Sequence, residues 1–263
     1  LPTPPYAPYS PAPMPDYYPT GRTNTLYLEG AAVAERLGIE ERRTARVDGI
    51  DADNRDVVLA DGERIRYEGL VIASGSRLHA PLEGADLPGI LDFKSFGTAE
   101  KLVGRVRSGE AKSALIVGNG FIGIELSLLL ADLGAEVTII GRRNWLMPRA
   151  LDPVTSAIAE AVLIRRGVTL RLGVQADAFV GIPSVTGVRL ADGTVLSADL
   201  VVAATGVKPH VEFLGGSGIA SDWGIQVDDR MATSVPGIVA AGDVAAAADW
   251  LTGERFVHAI FPN

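Results

Sequence analysis

Ser113 to Arg143 reads SALIVGNGFIGIELSLLLADLGAEVTIIGRR, and its order of elements decides the fold. The apolar run Ala114 to Val117 predicts a strand. Gly118-Asn119-Gly120-Phe121-Ile122-Gly123 follows, then an apolar segment of helical length closing at Gly134, then a second strand, Val137 to Ile140. Strand, glycine turn, helix, strand is the context in which G-x-G-x-x-G acquires physical meaning. Gly118 permits the tight turn, Gly120 lets backbone N–H groups approach a pyrophosphate, and Gly123 lets the helix pack close to the strand. The helix N-terminus then faces the phosphates with its partial positive charge. The alternative is a tight turn in an α/β protein that holds no ligand.

The residues after the second strand bear on which nucleotide is read. A fold that binds NAD usually ends this strand on Asp or Glu, which accepts hydrogen bonds from the adenosine ribose. Here the position is Gly141, followed by Arg142 and Arg143. Guanidinium groups suit a ribose 2′-phosphate by charge and fork geometry, so the expected cofactor is NADP rather than NAD. The intact third glycine leans the other way, and two solvated arginines beside a loop are the plainer reading.

A second pattern extends the first. Leu59 to Gly75, LADGERIRYEGLVIASG, and Leu190 to Gly206, LADGTVLSADLVVAATG, match in length, 131 residues apart at both ends. Repetition at that separation implies a duplicated domain rather than a solenoid. In the later copy the glycine loop begins 88 residues before Gly206, and the same interval back from Gly75 falls before Leu1. A first glycine loop is therefore expected outside this chain. Leu1 in place of Met, and an ending on IFPN, likewise suggest a piece of a longer protein.

Elsewhere the pattern is coarser. Residues 1–22 hold eight prolines and four tyrosines and read as polyproline-like or irregular. Gly30 to Gly38 reads as a short helix, Arg46 to Leu59 as two strands, and Asp61-Gly62 as a hairpin turn. Leu70 to Ala73 is a short strand ending in Ser74-Gly75. Lys94 to Val106 and Pro153 to Arg166 read as helices, and Val168 to Leu172 as a strand. Thr233 to Val244 reads as an apolar strand ending abruptly on Gly242-Asp243. It either delivers a carboxylate to the mouth of a parallel sheet, where ligands bind, or makes Asp243 the N-cap of the alanine run that follows.

Composition narrows the function classes. With 263 residues and 47% hydrophobic content the chain is more naturally two domains than one. Against 32 acidic residues stand 24 basic ones, a net charge of −8 that argues against nucleic acid. No apolar run reaches membrane-spanning length, since the longest carries Glu125 and two glycines of the turn, and no membrane partner is expected. Cysteine is absent, so the sequence offers no disulfide, thiolate-ligated metal or thiol nucleophile. No metal site is expected, and His79, His210 and His258 are scattered.

Taken together, the glycine loop with Glu125 after it, the strand ends Ala73-Ser74-Gly75 and Ala204-Thr205-Gly206, and Thr233 to Val244 resemble the FAD-dependent pyridine nucleotide-disulfide oxidoreductase superfamily. The resemblance implies an α/β fold with two Rossmann-like domains of three-layer ββα architecture, for FAD and for NAD(P), the second inserted in the first. Residues 1–97 and 209–263 would form the FAD domain and residues 98–208 the NAD(P) domain, with the C-terminal interface domain absent. By the same resemblance Asp243 and Gly242 hold the flavin ribityl chain, Ala73, Ser74 and Gly75 line the FAD, Gly206 closes the NAD(P) copy, and Glu125 lies near the nicotinamide.

One branch of the superfamily carries a redox cysteine before a string comparable to Ala12 to Tyr18. Ala12 stands where that cysteine would be, and alanine cannot replace a thiolate nucleophile. The resemblance therefore points away from dithiol chemistry and toward the ferredoxin and rubredoxin reductases and the flavin subunit of nitrite reductase. It implies hydride transfer from NAD(P)H to FAD, then electrons onward to ferredoxin, rubredoxin, a reductase subunit or a metal centre. A cytoplasmic location and a homodimer are compatible with it. Two other readings stay open: a non-catalytic nucleotide-binding subunit, and an inactive fragment of such an enzyme.

Overall fold

The computed structural model describes residues 14–22 and 33–257, so Ala12, Gly30 and His258 lie outside the described residues. The chain forms two compact units. One comprises residues 40–77 and 207–257; the other comprises residues 14–22, 33–39 and 78–206.

The larger unit is built on a parallel sheet in the order Ile90–Leu91, Leu200–Ala203, Ser113–Val117, Glu136–Gly141, Thr169–Leu172. Its helices are α1 (Met14–Thr20), α2 (Val33–Arg36), α3 (Phe96–Arg107), α4 (Phe121–Asp132) and α5 (Pro153–Arg165). The strand period of two sorts the central strand: Ala114 and Ile116 join the core with Leu126, Leu129 and Leu130 of α4, whereas Leu115 and Val117 join Phe179, Val188 and Leu190. Those last residues belong to an antiparallel sheet, Ala176–Val180, Gly187–Leu190 and Val195–Ser197. Helices, parallel sheet and antiparallel sheet are the three layers expected from the sequence. Each fully buried Leu or Ile in them stabilises by roughly 1.5–3 kcal/mol.

Local chemistry sets the helix ends. Ser95 caps α3, its Oγ accepting from Thr98 N at 3.2 Å, and Asp152 caps α5, accepting from Thr155 N at 2.7 Å ahead of Pro153. Asp199 accepts from Lys112 N, Ser113 N and Ser113 Oγ at 2.8–3.0 Å, which anchors the start of the central strand and holds the Asp199 carboxyl below its ordinary range.

In the smaller unit, Leu70–Ile72 pairs in parallel with Ile238–Ala240. Ile50, Ile72, Leu214, Ile225, Ile238 and Val244 make its core. The sequence repeat reappears as matched geometry. Gly62 N donates to Leu59 O and Gly193 N to Leu190 O, both at 2.9 Å. Asp61 and Asp192 accept from Glu63 N and Thr194 N at 3.0 and 2.9 Å. Two copies of one hairpin therefore use the same aspartate turn.

Three expectations need correction. The proline-rich start is not irregular throughout: Met14 to Thr20 is helical because Met14 and Tyr18 are buried against Phe93 and Phe96. Thr233 to Val244 is strand only over Ile238–Ala240. The alanine run after Asp243 is a strand, Ala245–Ala248, so the N-cap alternative for Asp243 fails. The two compact units meet along the chain at 39/40, 77/78 and 206/207. Within the larger one Ile90–Leu91 joins the parallel sheet, Ile90 opposite Val201, and α1 packs on α3 and α4.

Candidate functional site

In the larger unit the sequence fixes the loop between the central strand and α4 by crowding. Gly118 has φ +130°, and a Cβ there would lie 2.2 Å from Ala204 O. A Cβ on Gly123 would lie 2.2 Å from Gly118 O, so helix and strand touch backbone to backbone. Among the described residues nothing lies within 4 Å of the Cβ position of Gly120. This glycine is the N-cap of α4 and no side chain caps that end, so the first amides of the helix face outward. Two glycines forced by contact, and a third leaving open space before uncapped amides, fit a dinucleotide pyrophosphate.

Around this loop the predicted residues come together. Phe121 and Ile122 open the helix and are about 40% exposed. Asn119 is buried, and its Nδ2 donates to Trp145 O at 2.7 Å. Gly141 is buried at the end of its strand, while Arg142 and Arg143 are exposed. Among the described residues neither guanidinium makes a hydrogen bond or an ion pair. Gly206 accepts from His79 N at 3.0 Å where this unit's last strand leaves the sheet.

Glu125 lies one turn into α4 and is half-buried. Burial, and secondarily the charge of Asp16 on α1, push its carboxyl up to about 7. Near neutral pH it is therefore divided between its acid and carboxylate forms, and can donate or accept a hydrogen bond. Helix α1 is held in place by Tyr18 OH donating to Phe96 O at 3.3 Å and by Arg107 donating to Tyr18 O.

In the smaller unit the paired strands stop together, Ala241 N donating to Ile72 O at 3.0 Å. Ala73, Ser74 and Gly75 leave one strand while Gly242 and Asp243 leave the other. Among the described residues nothing lies within 4 Å of the Cβ positions of Gly75 (φ +65°) and Gly242 (φ +74°), so no described side chain stands against a backbone-first approach of a ligand at this mouth. Ser74 Oγ donates to His210 O at 2.9 Å. Ser76 Oγ donates to Asp243 Oδ2 at 2.7 Å across 167 residues of sequence. An open glycine mouth with an oriented carboxylate fits a polyhydroxylated chain such as a ribityl group. Sequence reasoning missed Ser76, although it directly follows the Ala-Ser-Gly end. The basic cluster Arg42, Arg43 and Arg46 of the same unit is engaged locally: Arg42 with Glu40 and Glu63, Arg43 with Glu41, Arg46 with Asp48.

Among the described residues, no cluster of three or more His, Asp or Glu is placed to hold a metal, and no helix is long and apolar enough to cross a membrane.

Known proteins share this chain's sequence pattern and fold. The family described as pyridine nucleotide-disulphide oxidoreductase matches residues 10–260. The chain is similar to the NAD(P)H nitrite reductase of Bacillus subtilis, 35% identical over 74% of this chain and 24% of that protein. It is similar to the epsilon subunit of the NADH-dependent phenylglyoxylate dehydrogenase of Aromatoleum evansii, 32% identical over 98% of this chain and 61% of that one. Among solved structures it resembles the ferredoxin reductase for the CYP199A2 system of Rhodopseudomonas palustris, with TM-score 0.87 and 31% identity over 97% of this chain and 64% of that one. The chain thus spans less than two thirds of each of these three.

Proposed function

The chain belongs to the pyridine nucleotide-disulphide oxidoreductase family, and from that premise we propose that it works as an FAD-dependent NAD(P)H oxidoreductase passing electrons to a protein or metal-centre acceptor. The observation that carries the proposal is the pair of open glycine mouths, one before α4 and one at Asp243, each built by its own unit. In this reading Gly118, Asn119, Gly120, Phe121, Ile122 and Gly123 hold the pyrophosphate of NAD(P)H. Arg142 and Arg143, beside Gly141, favour a 2′-phosphate, which makes NADPH the preferred donor. Ala73, Ser74, Gly75, Gly242 and Asp243 hold FAD, with Ser76 setting the orientation of Asp243. Bound FAD supplies the two-electron to one-electron conversion that no side chain can provide.

The protein's own work is positioning. Glu125 orients the carboxamide of the nicotinamide and, with its carboxyl near 7, presents either a donor or an acceptor. These 263 residues contribute no thiol to that chemistry, since none of them is cysteine. The acceptor class that goes with this reading is a ferredoxin, a rubredoxin or a reductase subunit, and a homodimer and a cytoplasmic location accompany it. Anaerobic stopped-flow tests the role of Glu125. Glu125→Ala should slow flavin reduction by NADPH while leaving affinity for the adenosine half unchanged; an unaltered rate removes Glu125 from the site.

A further inference from the structure

Gly141 and Asn119 form one packed unit. The backbone of Gly141 has no positive φ, so it would accept any L-residue; what excludes a side chain is Asn119. A Cβ at position 141 would lie 2.6 Å from Asn119 Cγ, 2.7 Å from its Cβ and 2.7 Å from its Nδ2. Non-bonded carbons rest at about 3.5–4.0 Å, so the overlap is near 1 Å. Turning the Asn119 amide aside relieves only part of it, because Asn119 Cβ is itself in the way. Turning it aside also breaks the 2.7 Å bond from Nδ2 to Trp145 O and leaves a buried amide unpaired, which is costly.

The position so protected is the one that carries Asp or Glu in folds that read NAD. Asn119 also braces the adjoining loop: Nδ2 reaches Arg143 O at 3.4 Å besides Trp145 O, and Asn119 O accepts from Met147 N at 2.8 Å. We infer that Asn119 is a specificity-determining residue. Its side chain occupies the Cβ site of position 141, keeps a carboxylate away from the adenosine ribose, and fixes the loop from which Arg142 and Arg143 reach a 2′-phosphate. The inference rests on the NADPH reading for its ligand and on packing alone for its mechanism, so the two can fail separately.

A mutant cycle reads the packing without cofactor. Gly141→Ala should lower Tm by roughly 3 °C or more, whereas the same exchange in an Asn119→Gly background should be neutral or slightly stabilising, as Gly→Ala is where space allows. Equal shifts in both backgrounds would overturn the packing. Fluorescence titration with NADPH and NADH then reads the ligand. Gly141→Asp alone should weaken both cofactors, and N119G/G141D should move the NADPH-to-NADH affinity ratio at least tenfold toward NADH. Gly141→Asp converting the preference alone, at unchanged Tm, would overturn the role of Asn119. A coupled cycle in a protein that already binds NADH better would overturn the 2′-phosphate reading instead.

Discussion

Replacing Glu125 by Gln is expected to stabilise the protein above pH 7 and to remove a slope from its pH dependence. Burial and the nearby charge of Asp16 raise this carboxyl from 4.5 to about 7. Unfolded, it titrates near 4.5, so between these values the native state holds a proton that the unfolded state has released. Stability therefore falls as pH rises through that window, and the full penalty is present above about 7. At about 1.36 kcal/mol per pH unit, a displacement from 4.5 to about 7 sets a ceiling of about 3.4 kcal/mol. Water reaching a half-buried group reduces this to roughly 1–2 kcal/mol. Gln keeps the shape and has no proton to lose. With Trp223 and Trp250 replaced by Phe, Trp145 reports urea unfolding of the unit that carries Glu125. The stability difference between Gln and Glu should grow from near zero at about pH 3.5, a unit below the unfolded value of 4.5, to about 1–2 kcal/mol at pH 8. Asp16→Asn should reproduce a smaller part of it, as the lesser of the two causes. Parallel curves from pH 5 to 8 would refute the reasoning.

Three further outcomes follow from single contacts. Gly118→Ala combines φ +130° with a Cβ 2.2 Å from Ala204 O; it should cost about 3 kcal/mol or more in urea unfolding and abolish NADPH binding by fluorescence titration. Ser76→Ala removes the 2.7 Å bond to Asp243; at about 1 kcal/mol it should weaken FAD binding roughly fivefold in equilibrium dialysis, leave NADPH affinity unchanged, and be rescued by Ser76→Thr. Leu126→Ala empties a fully buried site in the larger core and should cost about 2–5 kcal/mol in chemical denaturation.

What was legible in the sequence was what local chemistry enforces. Gly118, Gly120 and Gly123 could be read because turn, approach and packing each demand a missing Cβ, and the structure shows contact or open space at each. The repeated Leu-Ala-Asp-Gly turn could be read because its aspartate closes the hairpin within four residues. The helix Met14–Thr20 could not: prolines argue locally against it, and burial of Met14 and Tyr18 among aromatic side chains prevails. The strand expected across Thr233 to Val244 was overlong because apolar character there reflects core packing, while only Ile238–Ala240 finds a partner strand. Ser76 against Asp243, and Asn119 against Gly141, are pairings between distant positions, and no periodicity in one sequence announces them.

The central claim is that FAD and NADPH share this protein as electron partners. The most direct measurement is the visible absorption spectrum of the natural full-length protein after incubation with excess FAD and desalting, followed by anaerobic NADPH. The account predicts a retained flavin band that bleaches on addition of NADPH. A colourless protein after desalting, or a flavin band that NADPH and NADH both leave unchanged, would contradict it.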